Sequence, residues 1–200
     1  MSTATFVRSA VNPGVISSAE PMETDEAFYE TVHGQRVEMP PMSVRASIVA
    51  SRISIALGAF ARPNRLGEVF TELLIHVPLP EDASRDRRPD VAFFAYPRSP
   101  STSTQLPNVN AWDVIPDLAI EVTSPSDRAE AQREKVLDYF RAGVRLVWVV
   151  YPDLRLIDVY ETPTTIRVFG PDGTLAGDPV LPGFELSFAD LFAPFAPPSA

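Results

Sequence analysis

Apolar and polar residues alternate over residues 118–123, which puts Leu118, Ile120 and Val122 on one face of a strand and Ala119, Glu121 and Thr123 on the other. A carboxylate therefore stands in the middle of an otherwise apolar strand. The same reading predicts strands in "PDVAFFAYP", in "RLVWVVYP" and "RLIDVYE" around a Pro152-Asp153 turn, and in "TTIRVFG" before a "PDGT" turn. "GEVFTELLIHVPLP" is expected to be a single strand closed by Pro78 and Pro80, and "RVEMPP" a short one after a His33-Gly34 turn.

Helical spacing replaces alternation twice. Val44, Ile48, Ile53, Leu57 and Phe60 predict a helix with one apolar face. A second helix is predicted over about residues 126–142, with Ser124-x-x-Asp127 as its capping box, Pro125 in the first turn and Gly143 as its end. Its core stripe is read as Ala129, Val136, Leu137 and Phe140, with Lys135 and Tyr139 along one flank, beside the sheet. The order helix, strands, helix, strands describes an α/β domain with a sheet flanked by helices and one central crossover helix. Residues 1–24, small and polar without periodicity, are expected to be a flexible leader, and residues 25–200 a single domain. "RSPSTSTQLPNVNAWDVIP" is expected to be a surface loop, and "LPGFELSFADLFAP" to pack on the domain.

Composition narrows the chemistry. With no cysteine and two histidines, His33 and His76, a metal would have to be held mainly by oxygen. No window approaches the eighteen or more apolar residues of a membrane span, and the first residues lack the order of a signal peptide, so no membrane and a cytoplasmic location are expected. A net charge of -9 argues against unspecific adhesion to nucleic acid. The charge is uneven, however. Residues 36–65 carry five arginines against one acid, with Arg45 and Arg52 seven apart, and Arg85, Arg87 and Arg88 form a second cluster. These are either solvated surface arginines or a strip facing phosphates.

Glu121 needs a partner, since an unpaired buried carboxylate costs several kcal/mol or more. A salt bridge to an arginine such as Arg88, a raised pKa or a divalent cation would each serve. Asp90 opens the preceding strand, and strands lie about 4.8 Å apart, so Asp90 and Glu121 could converge on one Mg²⁺ or Mn²⁺. The chain has a single lysine, Lys135, among seventeen basic residues. A compact ammonium near two carboxylates suits metal-dependent phosphodiester hydrolysis, where a planar guanidinium does not.

"RRPDVAFF", "PDLAIEVTSPSDRAEAQREKVLDYFRAGVRLVWVVYP" and "LPGFELSFADLF" together resemble the Uma-two family of restriction endonucleases, a branch of the PD-(D/E)XK nuclease superfamily, over about residues 26–192. The resemblance implies a restriction-endonuclease-like core, a Mg²⁺ site and cleavage of DNA. Asp90 matches the Asp of the Pro-Asp motif and Glu121 the acid of the (D/E)XK motif. The motif lysine falls on Thr123; in this family it is commonly displaced to the following helix, here Lys135. "FYETVHGQRVEMPPMS" resembles the family's early element, so Glu30 corresponds to its upstream acid; a surface or hairpin role competes with that reading. Tyr151 stands where the family often has Asp.

Gln132 could touch a phosphate or water, or simply lie exposed on its helix. His33 and His76 are weaker candidates, and Trp112 and Trp148 read as a loop anchor and a core residue. A homodimer is plausible, since one small site cuts one strand. The rival reading is a catalytically silent relative that binds a partner or assembles with itself.

Overall fold

The computed structural model describes residues 28–96 and 109–194. The expected leader, residues 1–24, and most of the proline-marked loop therefore lie outside the described residues. In chain order the elements are β1 (Tyr29–Val32), β2 (Gln35–Glu38), α1 (Val44–Ala61), β3 (Gly67–Thr71), β4 (Ile75–His76), β5 (Asp86–Arg87) and β6 (Val91–Ala95). There follow β7 (Leu118–Val122), α2 (Ala129–Ala142), β8 (Leu146–Tyr151), β9 (Leu156–Tyr160), β10 (Ile166–Phe169), β11 (Thr174–Ala176), β12 (Glu185–Ser187) and α3 (Phe188–Leu191).

Six strands form a mixed sheet in the order β10-β9-β8-β7-β6-β3. Its parallel pair is β7 with β8, joined by α2 as the expected crossover helix. Alternation along the strands divides the core in two. Val91, Phe93, Leu118, Ile120, Val122 and Trp148 pack with α1 and the C-terminal β11, β12 and α3. On the other face, Ala92, Phe94, Ala119, Val147 and Val149 pack with Val136 and Tyr139 of α2 and with Ile75 of β4. A second sheet, β2-β1-β5-β4, lies on this second side.

The structure corrects several expectations. "GEVFTELLIHVPLP" is two strands in two sheets, because Glu72 takes a positive φ of 54° and turns the chain between them. The buried stripe of α1 is Ala46, Val49, Ala50, Ile53, Leu57 and Ala61, whereas Val44 is 78% exposed. Small residues let the helix lie close to the sheet, and a reading weighted toward large side chains misses them. α1 is also long and apolar enough, by length and composition, to cross a membrane, contrary to the sequence reading. Here it is a layer of the fold, with Arg52 donating to the carbonyls of Leu191 and Ala193.

α2 begins at Ala129, not near residue 126. Asp127 closes a turn instead, accepting from the Ser124 N–H at 2.7 Å. Ala129 is exposed, while Asp138 and Tyr139 join Val136 among the buried residues. Gly143 ends the helix in the left-handed region, as expected.

Gly67 fixes the edge of the sheet against β6. A Cβ there would lie 2.1 Å from the Phe94 carbonyl oxygen and 2.6 Å from Phe93 Cε2. Gly67→Ala should therefore destabilise the domain by about 3 kcal/mol in urea unfolding, at the upper end of overpacking effects. A change below about 1 kcal/mol would mean that β3 can shift without loss.

Candidate active site

Register brings the two expected acids together. Val91 pairs with Ile120 across antiparallel β6 and β7, so Asp90 falls beside Glu121. Both alternate with residues that pack on α1, and both therefore point to the α2 side. Asp90 Oδ2 accepts from the Val122 N–H at 2.5 Å. Glu121 accepts from the Tyr139 hydroxyl at 2.6 Å through Oε1 and from Lys135 Nζ at 3.1 Å through Oε2. Lys135 and Tyr139 are four apart on α2 and so reach the same carboxylate from consecutive turns.

Glu30 arrives from the second sheet. β5 pairs Asp86 with Thr31, which sets Glu30 beside Arg87. Its Oε2 lies 2.7 Å from Arg87, and its Oε1 accepts from the Arg88 N–H at 3.1 Å and lies 3.0 Å from Lys135 Nζ. Lys135 thus bridges Glu30 on the small sheet and Glu121 on the large one. All four expected site residues, Asp90, Glu121, Lys135 and Glu30, line one cleft of about 410 Å³.

The three acids differ in electrostatic setting. Burial, and then the charge of Glu121, push the Asp90 carboxyl up to about 8, with the Val122 N–H acting the other way. Among the described residues no arginine or lysine forms an ion pair with it. Burial likewise raises Glu121, against the pull of Lys135 and Tyr139. Burial would raise Glu30 too, but Lys135 and Arg87 outweigh it and hold this carboxyl below the ordinary range. For Lys135, burial opposes the charge, yet Glu121 and Glu30 prevail and hold the ammonium above the usual lysine range. Two neighbouring acids, Glu121 paired with Lys135 through one oxygen and Asp90 without a cationic partner among the described residues, make an oxygen donor set suited to a hard divalent ion. Such an ion would take the rest of its ligands from water or substrate; among the described residues no group of three or more His, Cys, Asp or Glu is placed to hold a metal ion.

Reasoning on the sequence placed Tyr139 correctly beside Lys135 without giving it a role, and missed Arg87 as the partner of Glu30. Arg87 also holds Asp138 of α2, with Nε and NH2 at 3.0 and 2.5 Å from Oδ2. Arg85 continues the chain, 3.3 Å from Asp138 and 2.9 Å from Asp82. These buried arginines tie the small sheet to α2. They do not form a strip facing phosphates. Arg88 donates to the carbonyls of Tyr29 and Glu72 instead of pairing with Glu121, and Arg45 pairs with Asp153 at 2.5 Å.

Glu72 follows β3 and adds its charge to the field that raises Asp90. His33 and His76 meet Asp82 and Asp86 and do not line the cleft. Trp148 is core and Trp112 packs on Phe70 and Phe94. Thr123 turns its hydroxyl to the Val150 carbonyl at 3.1 Å, and so takes no part in the charge pairing.

Comparison with known proteins agrees with this architecture. A crystal structure described as a "putative nuclease belonging to DUF820", from Anabaena variabilis, superposes with a TM-score of 0.69 at 23% identity, covering 82% of this chain and 89% of that one. At that identity the likeness is one of fold. No curated protein matches the chain. The family profile of Uma2, described as "Putative restriction endonuclease", matches residues 17–189. With most of its length accounted for by that profile, the chain belongs to the Uma2 family.

Proposed function

We propose that the protein is a nuclease that hydrolyses phosphodiester bonds in DNA with the help of Mg²⁺ or Mn²⁺, held by Asp90 and Glu121. The observation that carries the proposal is the pair of buried carboxylates on neighbouring strands, 6% and 4% exposed, with Asp90 lacking any cationic partner among the described residues. Membership of a family described as restriction endonucleases supports the same reaction class. When bound, the divalent ion polarises the phosphate and lowers the pKa of water.

The chain's own residues do the positioning. Tyr139 donates to one oxygen of Glu121 and Lys135 to the other, which fixes the plane of that carboxylate. Glu30, kept ionised by Lys135 and Arg87, holds the ammonium beside Glu121 in the cleft. There its charge offsets the negative charge that grows on the phosphate during hydrolysis. One cleft accommodates one scissile phosphate, so a double-strand cut takes two copies of the chain or two encounters.

A second reading, a nuclease-fold chain that binds or assembles without cutting, draws on the saturation of Lys135 by two carboxylates and on the inward-facing arginines. Plasmid nicking separates the two. Wild-type protein should nick supercoiled DNA in Mg²⁺ or Mn²⁺, and Lys135→Arg, which keeps the charge but not the compact ammonium, should lower the rate about a hundredfold or more. A wild-type protein inert on DNA with every divalent ion would favour the binding module.

Two pH effects follow from Asp90. Its carboxyl stays protonated in the folded chain up to about pH 8, far above the unfolded value, so the folded state binds more protons and stability falls as pH rises through that window. Asp90→Asn should accordingly raise stability by about 1 to 2 kcal/mol at pH 9, where a buried charge is removed, and change little at pH 5. Equal effects at both pH values would contradict this. Uptake of Mn²⁺ at pH 7 should release close to one proton, fading by pH 9, as read from calorimetry in buffers of different ionisation enthalpy. Proton release that does not change with pH would contradict the assignment.

A further inference from the structure

Four nitrogen-bearing side chains line the cleft: Arg87, Arg128, Gln132 and Lys135. Two are committed inside the protein, Lys135 to Glu30 and Glu121, and Arg87 to Glu30 and Asp138. The other two are not. Gln132 Nε2 is buried and has no hydrogen-bond partner. Arg128 makes a single 3.3 Å pair with Glu130, and both side chains are more than 80% exposed, a pairing that water and salt readily displace.

A buried amide nitrogen without an acceptor is uncommon in a folded protein and costs about 1 to 3 kcal/mol, so its place at a cleft wall calls for an acceptor from outside. Gln132 and Lys135 are three apart on α2 and so are neighbours on its surface, and Arg128 caps the helix one turn before Gln132, its carbonyl accepting from the Gln132 N–H at 3.0 Å. Glu30, Asp90 and Glu121 line the same cleft, as do Met39, Pro40, Pro41 and Met42. An anionic diester entering such a cleft is repelled by its carboxylates unless a cation lies between, and finds uncommitted donors at Gln132 and Arg128.

We propose that Gln132 is a substrate-binding residue: its side-chain amide donates to a non-bridging oxygen of the phosphodiester in the cleft, while Arg128, one turn earlier, takes the neighbouring phosphate of the same strand. This deepens the nuclease reading and rests on it. The helix rise from Arg128 to Gln132 is about 6 Å, of the order of the step between successive phosphates. The division of labour is specific. Gln132 supplies a neutral hydrogen bond that adds no salt dependence, and Arg128 supplies a charge that does.

The test is binding of a fluorescein-labelled DNA strand and its duplex in Ca²⁺, followed by anisotropy, beside Mn²⁺ calorimetry and thermal melts on the same proteins. Gln132→Ala should weaken DNA binding about tenfold or more, the worth of a hydrogen bond to a charged group. Gln132→Glu, which turns an acceptor toward the phosphate, should weaken it further. Gln132→Ala should melt no lower than wild type and keep the wild-type Mn²⁺ heat, which a merely structural role for Gln132 does not predict. Arg128→Ala should lower the slope of log affinity against log salt by about one, and Gln132→Ala should leave it unchanged. Wild-type Mn²⁺ uptake with Gln132→Ala binding DNA as tightly as wild type overturns this inference and leaves the metal-site reading standing. A wild-type protein that takes up no ion and binds no DNA overturns both.

Discussion

A carboxylate in the closed interior of a sheet has to be neutralised by its surroundings, and Glu121 organises this domain around that requirement. α2 answers it with Lys135 and Tyr139, delivered from consecutive turns to opposite oxygens. Lys135 then needs a second anion to stay charged under burial, and Glu30 supplies it from the small sheet. Glu30 in turn is held by Arg87, and Arg87 by Asp138. One demand thus propagates from the central sheet through α2 into the second sheet, and the two sheets meet where the charges meet.

Asp90 stands outside this chain of compensation. Its neighbours add negative charge, and its hydrogen-bond partner is one backbone N–H. A fold that pairs Glu121 and Glu30 with cations and leaves the adjacent acid without one has retained a local instability, and such departures concentrate where function requires them. A divalent ion in the cleft would remove the instability without any rearrangement of the sheet, since Asp90 and Glu121 already share a side and a register. On the proposed reading the folded chain is prepared for an ion that it would hold with few protein ligands.

Much of this was legible along the chain. Alternation through "DLAIEVTS" put Glu121 opposite the Ile120 face, and the solitary lysine was assigned to the same pocket from helix spacing and family resemblance. What escaped was non-local. β5 is two residues long and has no periodicity to read, yet it sets Arg87 beside Glu30. The partners of Arg85 and Arg87 lie about fifty positions away in α2, so the arginine cluster gave no sign that it was internal. The break at Glu72 depends on one backbone angle in a run of good strand formers, and the close approach of α1 depends on alanines. Hydrophobic pattern recovers large faces well and small faces poorly.

The measurement that bears most directly on the central claim is anomalous diffraction from crystals grown with Mn²⁺. The account predicts one strong peak between the carboxylates of Asp90 and Glu121, with Lys135 still within reach of Glu121. A cleft without a peak at saturating Mn²⁺, or a peak held by other acids while Asp90 and Glu121 stay bare, would contradict it.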